Sequence, residues 1–276
     1  MSDVVNELAR AGYATALRGV LKGGCKASGI AVRLAVRSGS LECVRLLVEH
    51  GVRRDRFAVS WAARVGNFEI LDFLLTGGFP YDELSIADAA GGGHVNCIVR
   101  LITTGCKPNA QAVEAAARAG QVGALKFLVS IDCPWSPIAC ELGSMSSCVD
   151  TLRFCCETTG RVGDTTVIYA LATGCLPCVQ YLHEDVHIPL EALSLNDCED
   201  EECLRYAYDR GARYTMSLAA ARQRIVRCVF LPKWREAVRA RAVVVYWLGK
   251  AAETSCAEDG DARKRDRHAF EHDFIY

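Results

Sequence analysis

The sequence predicts an all-α helical solenoid of about eight short helix-turn-helix repeats with a C-terminal helical cap. Three observations support this fold class: a fixed glycine period, an apolar stripe after each first glycine, and small or apolar side chains just before it. The period is 27 residues, and a sustained period of this length is typical of stacked supersecondary units. The glycines pair as Gly12 with Gly24, Gly39 with Gly51, Gly66 with Gly78 and Gly93 with Gly105, and Gly120 extends the series.

Each unit is predicted to contain two helices. Apolar residues stand five, eight and nine positions after the first glycine, for example Val44, Leu47 and Val48. This spacing is the apolar face of a helix of two to three turns. Small side chains such as Ala62 and Ala63 precede the glycine and allow another helix to pack closely. The second glycine of each unit suits the C-cap that ends the second helix.

The period is expected to be regular to residue 132 and degenerate afterwards. A unit is predicted over residues 144–156, three residues earlier than the period requires, so that Ser144 replaces the first glycine. Two further units are predicted over residues 174–186 and 199–211. The predicted segments are a repeat region, a basic helical capping segment and a charged tail, at residues 1–212, 213–252 and 253–276.

Two stretches of the chain resemble a known family. LAVRSGSLECVRLLVEHG at residues 34–51 and WAARVGNFEILDFLLTGG at 61–78 are similar to the ankyrin repeat, and Gly93-His94 keeps its Gly-His pair. A full ankyrin repeat has about 33 residues, so these repeats are shortened, as they are in large DNA viruses. The resemblance implies an ankyrin-type solenoid that binds a protein partner on its concave face and has no enzymatic activity.

Composition and charge exclude several classes of protein. The chain has 32 basic and 33 acidic residues, so it has no general attraction to nucleic acid or to a membrane surface. Its longest apolar run, at 242–249, is much shorter than the roughly 20 residues that span a bilayer. No secretory signal is recognised, and the 15 cysteines are an odd number. Reduced thiols are therefore expected, and with them an intracellular protein of the cytoplasm (the host cytoplasm for a viral protein) or of the nucleus.

The stretch GCLPCVQYLHEDVH at residues 174–187 raises the alternative of a zinc site. Cys175 and Cys178 have C-x-x-C spacing, and His183 and His187 have H-x-x-x-H spacing. Only four residues separate the two pairs, against about 12 in a zinc finger. The sequence therefore favours a packing role and predicts no metal or other cofactor, while a zinc-stabilised module is the alternative.

A packing role for cysteine is suggested by the repeat itself. Cysteine recurs four positions after the first residue of several units, where other units carry alanine or isoleucine. A free cysteine in such a position behaves as a small apolar side chain. The positions are Cys43, Cys97, Cys148, Cys178 and Cys203.

The sequence contains no recognisable catalytic constellation. It has no phosphate-binding loop, nucleophile elbow or H-E-x-x-H motif. The protein is therefore predicted not to be an enzyme.

Arginines recur two residues before the first glycine of a unit, at Arg10, Arg37, Arg64 and Arg118, and we call these four residues the arginine ladder. The resemblance to ankyrin proteins implies that this position faces the partner. Arginine binds carboxylates and phosphates in bidentate fashion, so the ladder suits a protein with an acidic surface. The alternative is a stabilising interaction with the helix macrodipole. Tyr81, in the loop GFPYDE, is predicted to add an aromatic contact near the same edge.

The segment 213–250 has nine basic residues and one acidic residue. It is predicted to cap the apolar end of the solenoid. One alternative is a nucleic-acid-associated protein that binds through this segment, with salt-dependent affinity. LPKWREAV at 231–238 resembles the F-box-like ends of some viral ankyrin proteins, so a second alternative is a substrate-recruiting subunit of a ubiquitin-ligase-type complex.

Overall fold

The computed structural model describes residues 2–212, apart from residues 161, 192, 196, 197 and 199. The described chain divides between Val162 and Gly163 into two compact units. The predicted capping segment and tail lie outside the described residues. The nucleic-acid and ubiquitin-ligase alternatives rest on residues of that capping segment, so they also concern residues outside the described ones.

The described part of the first unit is built from twelve α-helices in six pairs. The first helices of the pairs are α1 (Ser2–Ala11), α3 (Gly29–Ser38), α5 (Arg56–Val65), α7 (Glu83–Gly91), α9 (Ala110–Arg118) and α11 (Ala139–Met145). The second helices are α2 (Ala14–Lys22), α4 (Leu41–Glu49), α6 (Phe68–Thr76), α8 (Val95–Thr103), α10 (Val122–Ser130) and α12 (Val149–Thr159). Each first helix packs on the next first helix, and each second helix packs on the next second helix. The result is two layers of helices, and this confirms the predicted all-α repeat architecture.

The described part of the second unit contains another helix pair and a further helix. Its elements are α13 (Asp164–Thr173), α14 (Leu176–Gln180), a π-helical turn (Tyr181–Asp185) and α15 (Glu201–Asp209). The first two pack together, and α14 also contacts α15. None of the described helices in either unit is long and apolar enough to cross a membrane.

The core of the first unit lies between the two layers. Leu47, Leu74, Leu101 and Leu128 occupy one position of successive second helices and are fully buried. The small residues of the first helices, such as Ala62 and Ala63, are also fully buried. The predicted apolar stripe and the predicted close packing before the glycine are therefore confirmed.

The helix pairs turn through residues in the left-handed region. Gly39 and Gly66, for example, follow first helices with φ of 75° and 78°. Ser147 takes the same turn position with φ of 57°, and Asp132 takes the turn after the second helix α10 with φ of 54°. A left-handed conformation is uncommon for residues other than glycine, and a short polar side chain tolerates it best.

The predicted unit at 144–156 is wrong in its register. The left-handed turn is at Ser147, which is where the 27-residue period from Gly120 places it. Cys148 is therefore the half-buried N-cap of α12 and not a core residue. Thr151 takes the buried packing position instead. The error arises because serine and aspartate replace the glycines that mark the other turns.

Candidate partner-binding face

The first helices of the first unit present an exposed side that repeats from one helix to the next. Near their N-termini, Ile30, Phe57, Leu84 and Ile138 have between 44 and 50% of their surface exposed. On α5, Phe57, Trp61 and Arg64 follow i, i+4, i+7 spacing and therefore share one side of the helix. In this unit, we call the exposed side of α1, α3, α5, α7, α9 and α11 the first-helix face.

The arginine ladder lies along the C-terminal ends of the first helices. All four of its arginines are exposed. Arg10 pairs with Glu7 at 3.4 Å, and the guanidinium carbon of Arg64 lies 5.8 Å from the ring centre of Trp61. No described carboxylate lies within 4 Å of Arg37 or Arg118. These two arginines are available to a partner, and a role for the ladder in binding stays a prediction.

Tyr81 has a structural contact as well as an exposed surface. Its hydroxyl donates a hydrogen bond of 2.7 Å to the backbone oxygen of Thr104, which ends α8. The residue retains 37% of its surface exposed. Tyr81 therefore links two successive repeats, and its predicted contact with a partner is untested.

Two cavities open between neighbouring first helices. The smaller, of about 190 Å³, lies between α5 and α7 and is lined by Phe57, Trp61, Arg64, Leu84 and Asp88 among others. The larger, of about 440 Å³, lies where the loop before α5 meets α3. Arg56 lines both cavities. They therefore belong to one continuous region of the first-helix face.

The larger cavity contains residues that the sequence interpretation did not select. Four arginines line it: Arg33 of α3, Arg53 and Arg54 of the loop before α5, and Arg56 at the start of α5. We call this cavity the arginine pocket. The run RRDR at 53–56 is visible in the sequence as a local concentration of charge. Its convergence with Arg33, one repeat earlier, depends on the packing of α3 against α5.

Asp88 is a half-buried carboxylate on the first-helix face. Burial raises its pKa above the ordinary value, while Arg64 and a hydrogen bond from Ser60 act in the opposite direction. The Arg64 contact is long, at 3.9 Å. Because burial dominates, the charged form of Asp88 is less favourable in the folded protein than in the unfolded chain.

We expect Asp88→Asn to stabilise the protein at neutral pH, with a smaller effect at low pH. A raised pKa means that the folded protein holds the proton more tightly than the unfolded chain does. The ionised carboxylate of Asp88 therefore begins to lower the free energy of unfolding as the pH rises above the unfolded pKa, and the loss is complete above the folded pKa. Urea unfolding of wild type and variant at pH 3.5, 5 and 7 measures this. A stability difference that does not grow with pH would contradict the assignment.

The four candidate metal ligands lie in the second unit but do not converge as a set. Cys175 and Cys178 are buried, with their Sγ atoms 2.9 Å apart. His183 has its Nδ1 at 3.0 Å from the backbone oxygen of Ile188, and its ring packs against Tyr206. His187 is exposed in a left-handed turn. Within the described part of the chain, no group of three or more His, Cys, Asp or Glu residues could hold a metal ion.

The buried cysteine position is confirmed for four of the five predicted residues. Each is the third residue of its helix, and each has at most 1% of its surface exposed. Burial raises the thiol pKa of Cys97, as expected for a side chain that packs in a core. The four residues are Cys43, Cys97, Cys178 and Cys203.

Comparisons with known proteins return a structural likeness alone. No family model matches the chain, and no curated protein matches it. Among solved structures, 92 chains match. One is the crystal structure of the human ASB11 ankyrin repeat domain, with 16% sequence identity and a TM-score of 0.49. The match covers 65% of this chain and 97% of that one. At this identity the likeness concerns the fold alone.

Proposed function

We propose that this protein is a non-enzymatic scaffold that binds an acidic protein partner on the first-helix face. The observation that carries the proposal is the recurrence of two features at equivalent positions of the first helices. Half-exposed apolar side chains stand at the N-terminal ends of α3, α5, α7 and α11, and exposed arginines stand at the C-terminal ends of α1, α3, α5 and α9. Exposed apolar surface bordered by polar groups is characteristic of interaction sites. Aromatic residues and arginine are the side chains enriched in binding hot spots. The setting we infer is intracellular, in the cytoplasm or the nucleus, as the cysteine content predicts.

The proposed contacts have a chemical division. Phe57, Trp61 and Leu84 supply apolar area around the smaller cavity. The arginine ladder and the half-exposed Tyr81 are proposed to add positive charge and one aromatic ring to this area. Guanidinium groups complement carboxylates on a partner and would raise the rate of association as well as fix the orientation. The ladder residues and Tyr81 are thus proposed as partner contacts.

Site-specific photocrosslinking in cells tests the proposal. p-Benzoylphenylalanine replaces Phe57 or Leu84 on the first-helix face, and Val99 or Val129 on α8 and α10 as controls. The control side chains have 42 and 38% of their surface exposed, so they match the test positions in access. We expect a protein adduct from the first-helix positions alone. The adduct should disappear when Arg37, Arg64 and Arg118 are all replaced by glutamate.

Two outcomes would reject the proposal. Adducts from all four positions alike would indicate non-specific contact. Adducts from Val99 and Val129 alone would place the interaction on the second helices. An adduct from Phe57 or Leu84 that survives the triple substitution would keep the face but remove the arginine ladder from it.

A further inference from the structure

The arginine pocket carries more positive charge than its own residues neutralise. Four arginines line it, against one described acidic residue, Asp55. Asp55 has its Oδ2 at 3.2 Å from Nε of Arg33, and its Oδ1 accepts a hydrogen bond from the backbone N–H of Phe57. The single acid is therefore occupied by Arg33 and by the start of α5.

The other arginines of the pocket have little internal compensation. Arg56 comes no nearer than 3.9 Å to Asp82. No described carboxylate lies within 4 Å of Arg53 or Arg54. Among the described residues, Arg33 is the one arginine of the pocket with a close carboxylate, that of Asp55. The exposed guanidinium groups of Arg53 and Arg54 therefore have unused donor capacity for an anion.

Two of the guanidinium groups are held in place before any ligand arrives. The guanidinium carbons of Arg33 and Arg56 lie 5.6 and 5.0 Å from the ring centre of Phe57. Cation–π contacts at these distances are favourable and limit the motion of both side chains. Ordering the site in advance reduces the entropy that a ligand must lose on binding.

The size and lining of the pocket favour a peptide over other anions. Its volume of about 440 Å³ falls within the range of pockets that enclose organic ligands, and Ile30 and Pro80 form apolar parts of its wall. Its described lining contains no aromatic side chain, and the ring of the adjacent Phe57 already carries the guanidinium groups of Arg33 and Arg56. Proteins that bind single-stranded nucleic acid normally stack the bases on aromatic rings. The pocket therefore fits an anionic peptide better than RNA.

We propose that the arginine pocket binds an anionic segment of a protein partner, through the carboxylates of an Asp/Glu run or the phosphoryl group of a phosphorylated residue. Both groups accept the paired hydrogen bonds that a guanidinium donates, and recognition of acidic or phosphorylated motifs by arginine clusters is a recurring mode. The inference rests on the proposed scaffold function, to which it adds the chemistry of the bound segment. Because Arg56 lines both cavities, the segment would continue from the arginine pocket into the smaller cavity.

Fluorescence anisotropy with the full chain tests the inference. The probes are a fluorescein-labelled twelve-residue peptide of alternating Glu and Ser, the same peptide with one phosphoserine, a Gln-for-Glu version, and a twelve-nucleotide oligouridylate. The pocket variant is Arg53→Ser with Arg54→Ser. The control variant is Arg45→Ser with Lys126→Ser, which removes the same charge from exposed positions on α4 and α10. Circular dichroism verifies that both variants retain the helical content of the wild type.

We expect the acidic peptides to bind and the pocket variant to lose at least tenfold in affinity, while the control variant loses less than threefold. Tighter binding of the phosphoserine peptide by tenfold or more would identify the phosphoryl group as the ligand, and equal binding would identify the carboxylates. Equal losses in the two variants, equal binding of the Gln peptide, tighter binding of the oligouridylate, or no binding of any probe would each overturn the inference.

Failure of this inference is separable from failure of the proposed function. Photocrosslinking through Phe57 and Leu84 does not depend on the pocket binding an isolated peptide. Adducts at these positions without binding of any probe would reject the proposed pocket ligand and leave the proposed scaffold function standing. Absence of both the adducts and probe binding would reject both proposals.

Discussion

Leu74→Ala is expected to lower the free energy of unfolding by about 2–5 kcal/mol. Leu74 is fully buried on α6, at the core position that Leu47 and Leu101 occupy on the neighbouring second helices. Truncation removes buried methyl groups and leaves a cavity that the two helix layers close only in part. In a repeat protein each unit is stabilised mainly by its neighbours, so a defect in the middle weakens the interfaces on both sides. Urea unfolding followed by circular dichroism at 222 nm measures the change as a shift of the midpoint.

The matched control is Val99→Ala on the next second helix. Val99 has 42% of its surface exposed, and alanine is the better helix former, so its substitution should change stability by less than about 0.5 kcal/mol. If the two variants shift the midpoint equally, the layer interface is not the main source of stability at Leu74.

Most of the fold could be predicted from the sequence because most turns of the repeat contain a glycine at a fixed spacing. A left-handed turn favours glycine, so glycine at a fixed spacing marks where each helix ends. The prediction failed at Ser147, where another residue adopts that conformation with φ of 57°. The period itself still located the turn, since Ser147 lies 27 residues after Gly120. Residue type was the weaker signal here, and spacing was the stronger one.

The candidate face was predictable only in part. The arginine ladder follows from the repeat, because one position in each unit has one environment, and exposure of Arg37, Arg64 and Arg118 agrees with this. The arginine pocket does not follow from the repeat pattern, because it depends on the packing of Arg33 beside a loop of the next repeat. The 27-residue period does not reveal which charged side chains from different helices come together in the folded protein.

The three consecutive glycines 91–93 illustrate the same limit. In the sequence they form one GGG run, but in the structure they occupy three different environments. Gly93 has a φ of 77°, which is why a glycine recurs there. Gly91 ends α7, and a Cβ at this position would meet the Cβ of Ala115 at 3.5 Å, an ordinary contact. Gly92 has an ordinary φ of −79°, yet a Cβ there would meet a backbone oxygen, whereas a Cβ at Gly93 would meet only the flexible side chain of Gln121.

Gly92→Ala is therefore expected to destabilise the protein by about 1–3 kcal/mol or more, the range observed for overpacked sites. A Cβ at this position would lie 2.4 Å from the backbone oxygen of Arg64 and 2.6 Å from Cδ2 of His94. The imidazole could rotate, but the carbonyl oxygen is fixed at the end of α5, so α5 and α7 would have to move apart. Both helices form the first-helix face, and their separation should also weaken binding there.

The neighbouring substitution Gly91→Ala gives the discriminating comparison. It adds the same methyl group one residue earlier, at the last position of α7, where the space is sufficient. Alanine restricts the unfolded chain more than glycine does and favours the helix, so this variant should be neutral or more stable by up to about 1 kcal/mol. A lower urea midpoint for Gly92→Ala than for the wild type, with an unchanged or higher midpoint for Gly91→Ala, would demonstrate close approach at Gly92 rather than a general demand for glycine. Equal destabilisation would mean that the whole turn requires backbone freedom, and the Arg64 carbonyl would not be the cause.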